Sequence, residues 1–255
     1  MTAEPVLLDV GERIATITFN RPEARNALSH EVRRLLAAYV TEADERDDVD
    51  VMVLTGTDPA FCAGLDLKEL GSTAGGTAVR VEGRRGPFPP HVKPLIGAIN
   101  GACITGGFEV ALNCDFLVAS ERARFGDTHA RVGVMPGWGL TVLLQQAIGV
   151  RRARELSFTG NFLSAEDALA WGLVNHVVPH DELLPFTRRL ALDIVSNDQA
   201  GVRQIRATYA AVAATTVAEG WDVEDRDARA WRDARFDPAE IERRRAAVVA
   251  RGRAQ

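Results

Sequence analysis

Residues 94–115 read PLIGAINGACITGGFEVALNCD. The first 19 or so are apolar enough, and long enough, to raise the question of a membrane span. They also carry Asn100, Glu109, Gly97, Gly101, Gly106 and Gly107, so the stretch reads instead as a buried strand, a small-residue turn and the start of a helix. The same design recurs upstream in residues 51–70, VMVLTGTDPAFCAGLDLKEL. At a helix start the first N–H groups lack an internal partner and the positive end of the dipole faces outward, so each turn offers donors to an anion or a carbonyl. Gly64, Gly106 and Gly107 would let a ligand approach the backbone. Two such donors on one carbonyl oxygen would form an oxyanion hole; glycines that merely permit tight strand-to-helix packing are the other reading.

On either side, strand and helix patterns alternate. VLLDVGERIATITF (6–19) reads as a hairpin about Gly11-Glu12, and Ser29 is placed to cap a helix whose inner face carries Val32, Leu35, Leu36, Tyr39, Val40 and Ala43. FLVAS (116–120) reads as a strand, and a helix with Leu140, Leu143, Leu144 and Ile148 begins near Gly137. SAEDALAWG has Ser164 and Asp167 in capping-box spacing with Gly172 as its stop, and LVNHVV reads as a further strand. From about Asp181 the periodicity is helical. The expected class is α/β, with a core over residues 1–195 and a helical tail over 196–255. Residues 71–90, rich in Gly, Pro and Arg, read as a mobile surface loop.

Composition narrows the function classes. At 255 residues, with 46% apolar and 25% charged residues, the chain has globular proportions. A net charge of −5 argues against general nucleic-acid or anionic-membrane binding. Cys62, Cys103 and Cys114 form no C-x-x-C pair and sit among apolar neighbours, as reduced core thiols do. With no signal-peptide pattern at the N-terminus, a cytoplasmic location is expected. There is no P-loop, G-x-G-x-x-G after a strand, G-x-S-x-G elbow or H-E-x-x-H, and neither the histidines nor the cysteines have metal-ligand spacing, so no metal is expected.

Glu109 stands in the first turn of the second helix, inside an otherwise apolar run. A carboxylate there suits the helix dipole; it is also where a general base would sit if a carbonyl bound at Gly106 undergoes chemistry at its α or β carbon. FCAGLDL and NGACITGGFEVALNCD, with NRPEARNAL before them and FGDTHARVGVMPGWG after, together resemble the crotonase (enoyl-CoA hydratase/isomerase) superfamily, in order over about residues 5–180. The resemblance implies a crotonase-like spiral of ββα repeats with a C-terminal helical oligomerisation region over 196–255, assembled as a homotrimer or dimer of trimers, and an acyl-CoA substrate of the kind met in fatty-acid β-oxidation. Coenzyme A is then part of the substrate, and no separate cofactor is implied. The backbone N–H groups of Leu65 and Gly106 would hold the thioester oxygen. Ala24, Arg25, Ala63, Asp66 and Leu67 would contact the CoA moiety, and Gly137 would help to hold the hydrating water.

One departure is informative. Hydratases of the family use two glutamates, whereas this chain has FGDTHA, with His129 where the second is expected. Histidine can serve as a proton donor; a structural or substrate-contacting residue is the alternative. Asp127 is a further possible acid, with a turn or cap role the simpler reading. Trp138 would either line the acyl pocket or pack in the core. Arg243, Arg244 and Arg245 read as a solvated face or as partners for a CoA phosphate. The leading expectation is an enoyl-CoA hydratase using Glu109 and His129; the alternatives are an enoyl-CoA isomerase with a single glutamate and a non-catalytic acyl-CoA binder.

Overall fold

The computed structural model describes residues 4–72 and 85–254. Its elements begin β1 Val6–Gly11, β2 Ile14–Phe19, α1 His30–Glu45, β3 Val51–Gly56, β4 Ala60–Cys62, α2 Leu67–Ser72, β5 Leu95–Ile99, β6 Ala102–Ile104 and α3 Gly106–Leu112. They continue β7 Phe116–Ser120, β8 Arg124–Gly126, α4 His129–Val132, α5 Leu140–Ile148, α6 Val150–Thr159, β9 Phe162–Ser164, α7 Ala165–Trp171 and β10 His176–Val178. The last four are α8 Leu183–Val195, α9 Gln199–Val212, α10 Val217–Arg235 and α11 Pro238–Ala254. The chain divides into two compact units between Arg203 and Gln204, within α9. Most of the loop expected over 71–90 lies outside the described residues.

β1 and β2 form the expected hairpin, in register from Val6 against Phe19 to Gly11 against Ile14. Its turn falls one residue later than expected, at Glu12 and Arg13, with Gly11 paired to Ile14 as the end of β1; both turn residues have positive φ (52° and 65°), the form whose twist matches that of the flanking strands. β2, β3, β5, β7 and β10 then join in parallel, giving a six-stranded sheet in the order β1-β2-β3-β5-β7-β10. Successive side chains of β3 go to opposite faces: Met52 and Leu54 to the main core with Val32, Leu36 and Val40 of α1, Val51 and Val53 to a second core with Leu183 and Ala191 of α8. Burial on both faces is why these strands read as continuous apolar runs.

A four-stranded sheet, β4-β6-β8-β9, lies beside the first and has no counterpart in the sequence reading. Each member is only three residues long, too short for a period of two to register. It explains the architecture, because β3, β5 and β7 of the large sheet are followed in the chain by β4, β6 and β8 of the small one and then by a helix. This is the ββα spiral that the resemblance implied.

Ser29 caps α1, accepting from the Val32 N–H, and Ser164 caps α7, accepting from the Asp167 N–H, with Gly172 left-handed (φ 81°) at its end. LVNHVV supplies a strand only over His176–Val178; Leu173 and Val174 are buried in the turn before it. Cys62, Cys103 and Cys114 are free thiols. Burial pushes all three up, Cys62 to about 12, which suits inert core residues. In the second unit Thr216 and Glu219 form a reciprocal capping box at the start of α10, and Thr208 donates to Asp227 at 2.7 Å. Arg243, Arg244 and Arg245 are exposed on α11 and pair with Glu240 and Glu242 one turn away, as a solvated face does.

Candidate active site

The two glycine turns singled out in the sequence abut. The Leu28 N–H donates to Gly64 O (2.8 Å) and the Asp66 N–H to Leu28 O (3.3 Å), a parallel bridge that turns the Leu65 N–H to the opposite side. On that side is α3: a Cβ on Gly106 would lie 3.5 Å from Leu65 N, and one on Gly64 3.3 Å from Gly106 N. Gly106 opens α3, so its N–H has no partner within the helix. Gly64 (φ 95°) has a conformation that disfavours any side chain, and Gly107 packs against β4 so closely that a Cβ would fall 2.3 Å from Cys62 O.

Thr105, just before α3, is held at φ 54° and ψ −112°, strained for a β-branched residue. Its N–H donates to Gly126 O at 2.8 Å, its carbonyl accepts from Glu109 N at 3.0 Å, and its hydroxyl shares a short hydrogen bond with that of Thr128. The turn that carries Gly106 is thereby tied to the residue preceding His129.

Glu109 is 3% exposed. Its Oε1 accepts from the N–H groups of Gly137 (3.1 Å), Trp138 (2.6 Å) and Leu140 (3.5 Å) at the start of α5. The Gly137 N–H, expected to hold water, is therefore spent on the carboxylate. Asn113 locks this arrangement, its side-chain amide donating to both Glu109 O and Trp138 O at 2.8 Å. Trp138 itself is half-buried against the main core.

Glu109 Oε2 faces His129 Nε2 at 3.5 Å, and His129 Nδ1 lies 2.6 Å from Asp127 Oδ1. All three side chains are buried. Burial alone would pull the imidazolium down; the hydrogen bonds to Asp127 and Glu109, with their charges, outweigh it and push His129 up to about 9. Burial acts upward on Asp127, but hydrogen bonds from His129 and Ser157 and the imidazolium charge hold it below the usual carboxylate range. Asp127 does take the turn role expected of it, accepting the His129 backbone N–H at 3.1 Å. It holds the imidazole as well, which the sequence reading did not see.

Of the residues expected at CoA, Ala24 and Arg25 lie in the turn after β2, Ala63 and Asp66 in the turn after β4, and Leu67 opens α2. The two turns are joined: Ala63 N–H donates to Arg25 O at 3.0 Å. Arg25 is exposed, as is Leu67. Two residues missed from sequence secure this edge. Buried Asn26 (φ 58°) accepts from Arg21 N and donates to Thr57 O and Ala60 O, while Arg21 holds Asp66 at 3.1 Å. Among the described residues no group of three or more His, Cys, Asp or Glu is arranged to hold a metal ion, and no helix is long and apolar enough to cross a membrane.

Residues 9–231 match the model of the enoyl-CoA hydratase/isomerase family. The chain belongs to that family. It is 42% identical over 202 residues, 76% of this chain and 74% of the other, to a protein of Arabidopsis thaliana named probable enoyl-CoA hydratase 1, peroxisomal. The crystal structure of an enoyl-CoA hydratase from Mycobacterium tuberculosis H37Rv superposes with a TM-score of 0.77 at 49% identity, covering 88% of this chain and 98% of that one. A monofunctional enoyl CoA isomerase from M. smegmatis superposes with a TM-score of 0.73 at 29% identity, covering 86% and 98%.

Proposed function

We propose that the protein is an enoyl-CoA hydratase that adds water syn across the double bond of a 2-enoyl-CoA thioester, as fatty-acid β-oxidation requires. The observation that carries this reading is the buried Glu109–His129 pair beside two abutting turns that offer backbone donors. Glu109 accepts a proton from water while the water oxygen bonds to Cβ. The π electrons of the double bond move toward the thioester oxygen, and the N–H groups of Leu65 and Gly106 stabilise the enolate, at about 3 kcal/mol per donor in comparable sites. As the enolate collapses, His129 delivers the Nε2 proton to Cα. The proton on Glu109 then returns to His129 and restores the starting state, leaving one hydrogen and one hydroxyl added. Gly137 acts here through the base that it orients. Ala24, Arg25, Ala63, Asp66 and Leu67 would hold the CoA moiety at the joined turns, and Trp138 would bound the acyl end.

Isomerisation between 3-enoyl and 2-enoyl thioesters is the second reading, favoured by the replacement of one of the family's two glutamates with His129. Purified protein offered crotonyl-CoA and a 3-enoyl-CoA separates the two. Loss of conjugated-thioester absorbance marks hydration, gain marks isomerisation, and binding without change marks an acyl-CoA binder. A cytoplasmic location and assembly as a trimer or dimer of trimers belong to the same proposal. Exposed Met135, Phe158 and Phe162 offer surface that a partner subunit would cover, and sedimentation would read the stoichiometry.

A further inference from the structure

Asp127 has no part in the chemistry described above, yet it is buried with its carboxylate against His129. An ionised carboxylate only accepts hydrogen bonds. Asp127 Oδ1 accepts from the His129 backbone N–H at 3.1 Å, and the Ser157 hydroxyl of α6 also donates to this carboxylate. The short contact at 2.6 Å therefore requires a proton on His129 Nδ1. The other ring nitrogen faces a second acceptor, Glu109 Oε2, at 3.5 Å. Flanked by a carboxylate on each nitrogen, the ring satisfies both only with both N–H groups in place, that is, as imidazolium.

We propose that Asp127 is a positioning residue that keeps His129 protonated and its Nε2–H aimed at the reacting carbon, so that one carboxylate–imidazolium pair does what a second carboxylic acid would otherwise do. This rests on the hydratase reading. Two carboxylates so close repel as like charges, which raises the pKa of one of them; an imidazolium set between Asp127 and Glu109 carries its proton with attraction on both sides in place of that repulsion. The charged groups facing the ring are Glu109 from α3 and Asp127 from the turn after β8. α6 contributes uncharged Ser157, and Arg131 of α4 turns away to Thr159 O and Asn161 Oδ1.

The test is Asp127→Asn, nearly isosteric, assayed with crotonyl-CoA across pH and paired with heteronuclear NMR of the His129 ring in the unliganded protein. In the parent protein both ring nitrogens should read as protonated at about pH 8, below the midpoint near 9. In Asp127→Asn the alkaline limb of kcat should move down by at least about one pH unit, with a tenfold or greater loss at about pH 8, recovery toward the parent rate at about pH 6 and little change in KM. A merely structural role would lower the rate at every pH. An unmoved alkaline limb, or a neutral ring in the parent protein at about pH 8, overturns the proposal. The NMR measurement needs neither turnover nor the variant, so absence of hydration would defeat the hydratase reading separately.

Discussion

Glu109 Oε2 stands 3.5 Å from His129 Nε2, with both side chains buried and each fixed from behind. Backbone donors at the start of α5 hold the glutamate through Oε1, and Asp127 holds the histidine through Nδ1. In the proposed mechanism Glu109 is the proton acceptor and His129 the proton donor, and each turns one edge toward the other.

Glu109→Gln removes the acceptor while keeping its shape. The expected result is a fall in kcat of about 10²–10⁴-fold with KM nearly unchanged, since in the proposed mechanism the side chain acts on water and not on the CoA ester. Steady-state kinetics with crotonyl-CoA checks this, with circular dichroism to verify the fold.

Gly64→Ala tests the proposed oxyanion turn. At φ 95° an alanine is strained, and its Cβ would meet Ile104 O at 3.0 Å, so the turn must shift and carry the Leu65 N–H with it. A loss of about 10²–10³-fold in kcat is expected, the scale of losing one oxyanion donor. Native-like CoA-ester affinity, measured by calorimetry, would show that the loss lies in the transition state.

Stability should respond to pH through His129. Its folded value, about 9, lies above the usual 6.5, so its stabilisation is fully present below about pH 6.5 and is lost as pH rises through about 9. The size is on the order of a few kcal/mol, because the ring is buried. Asp127 acts in the opposite sense: its lowered value stabilises above the ordinary carboxylate range and is lost in acid. Urea unfolding at a series of pH values should show the alkaline decline in the parent protein and a much smaller one in His129→Gln.

The glycines at 64, 106 and 107 and the lone carboxylate at 109 were legible because each breaks its local pattern, small residues at a strand end and a charge in an apolar run. The capping serines and the hairpin were legible because their signals are local. The small sheet was not, since three-residue strands carry no period. The Asp127–His129 contact was hidden for a related reason: residues two apart on an extended chain point the same way, but here the chain leaves β8 and turns, and the turn geometry decides. Arg21 with Asp66 and Asn113 with Trp138 join segments remote in sequence, which no local pattern encodes.

The most direct measurement is the rate of crotonyl-CoA hydration by His129→Gln. If the imidazolium delivers the proton to Cα, kcat falls by about 10²–10⁴-fold while the CoA ester still binds. A rate equal to that of the parent protein would contradict the account and leave Glu109 to move both protons alone.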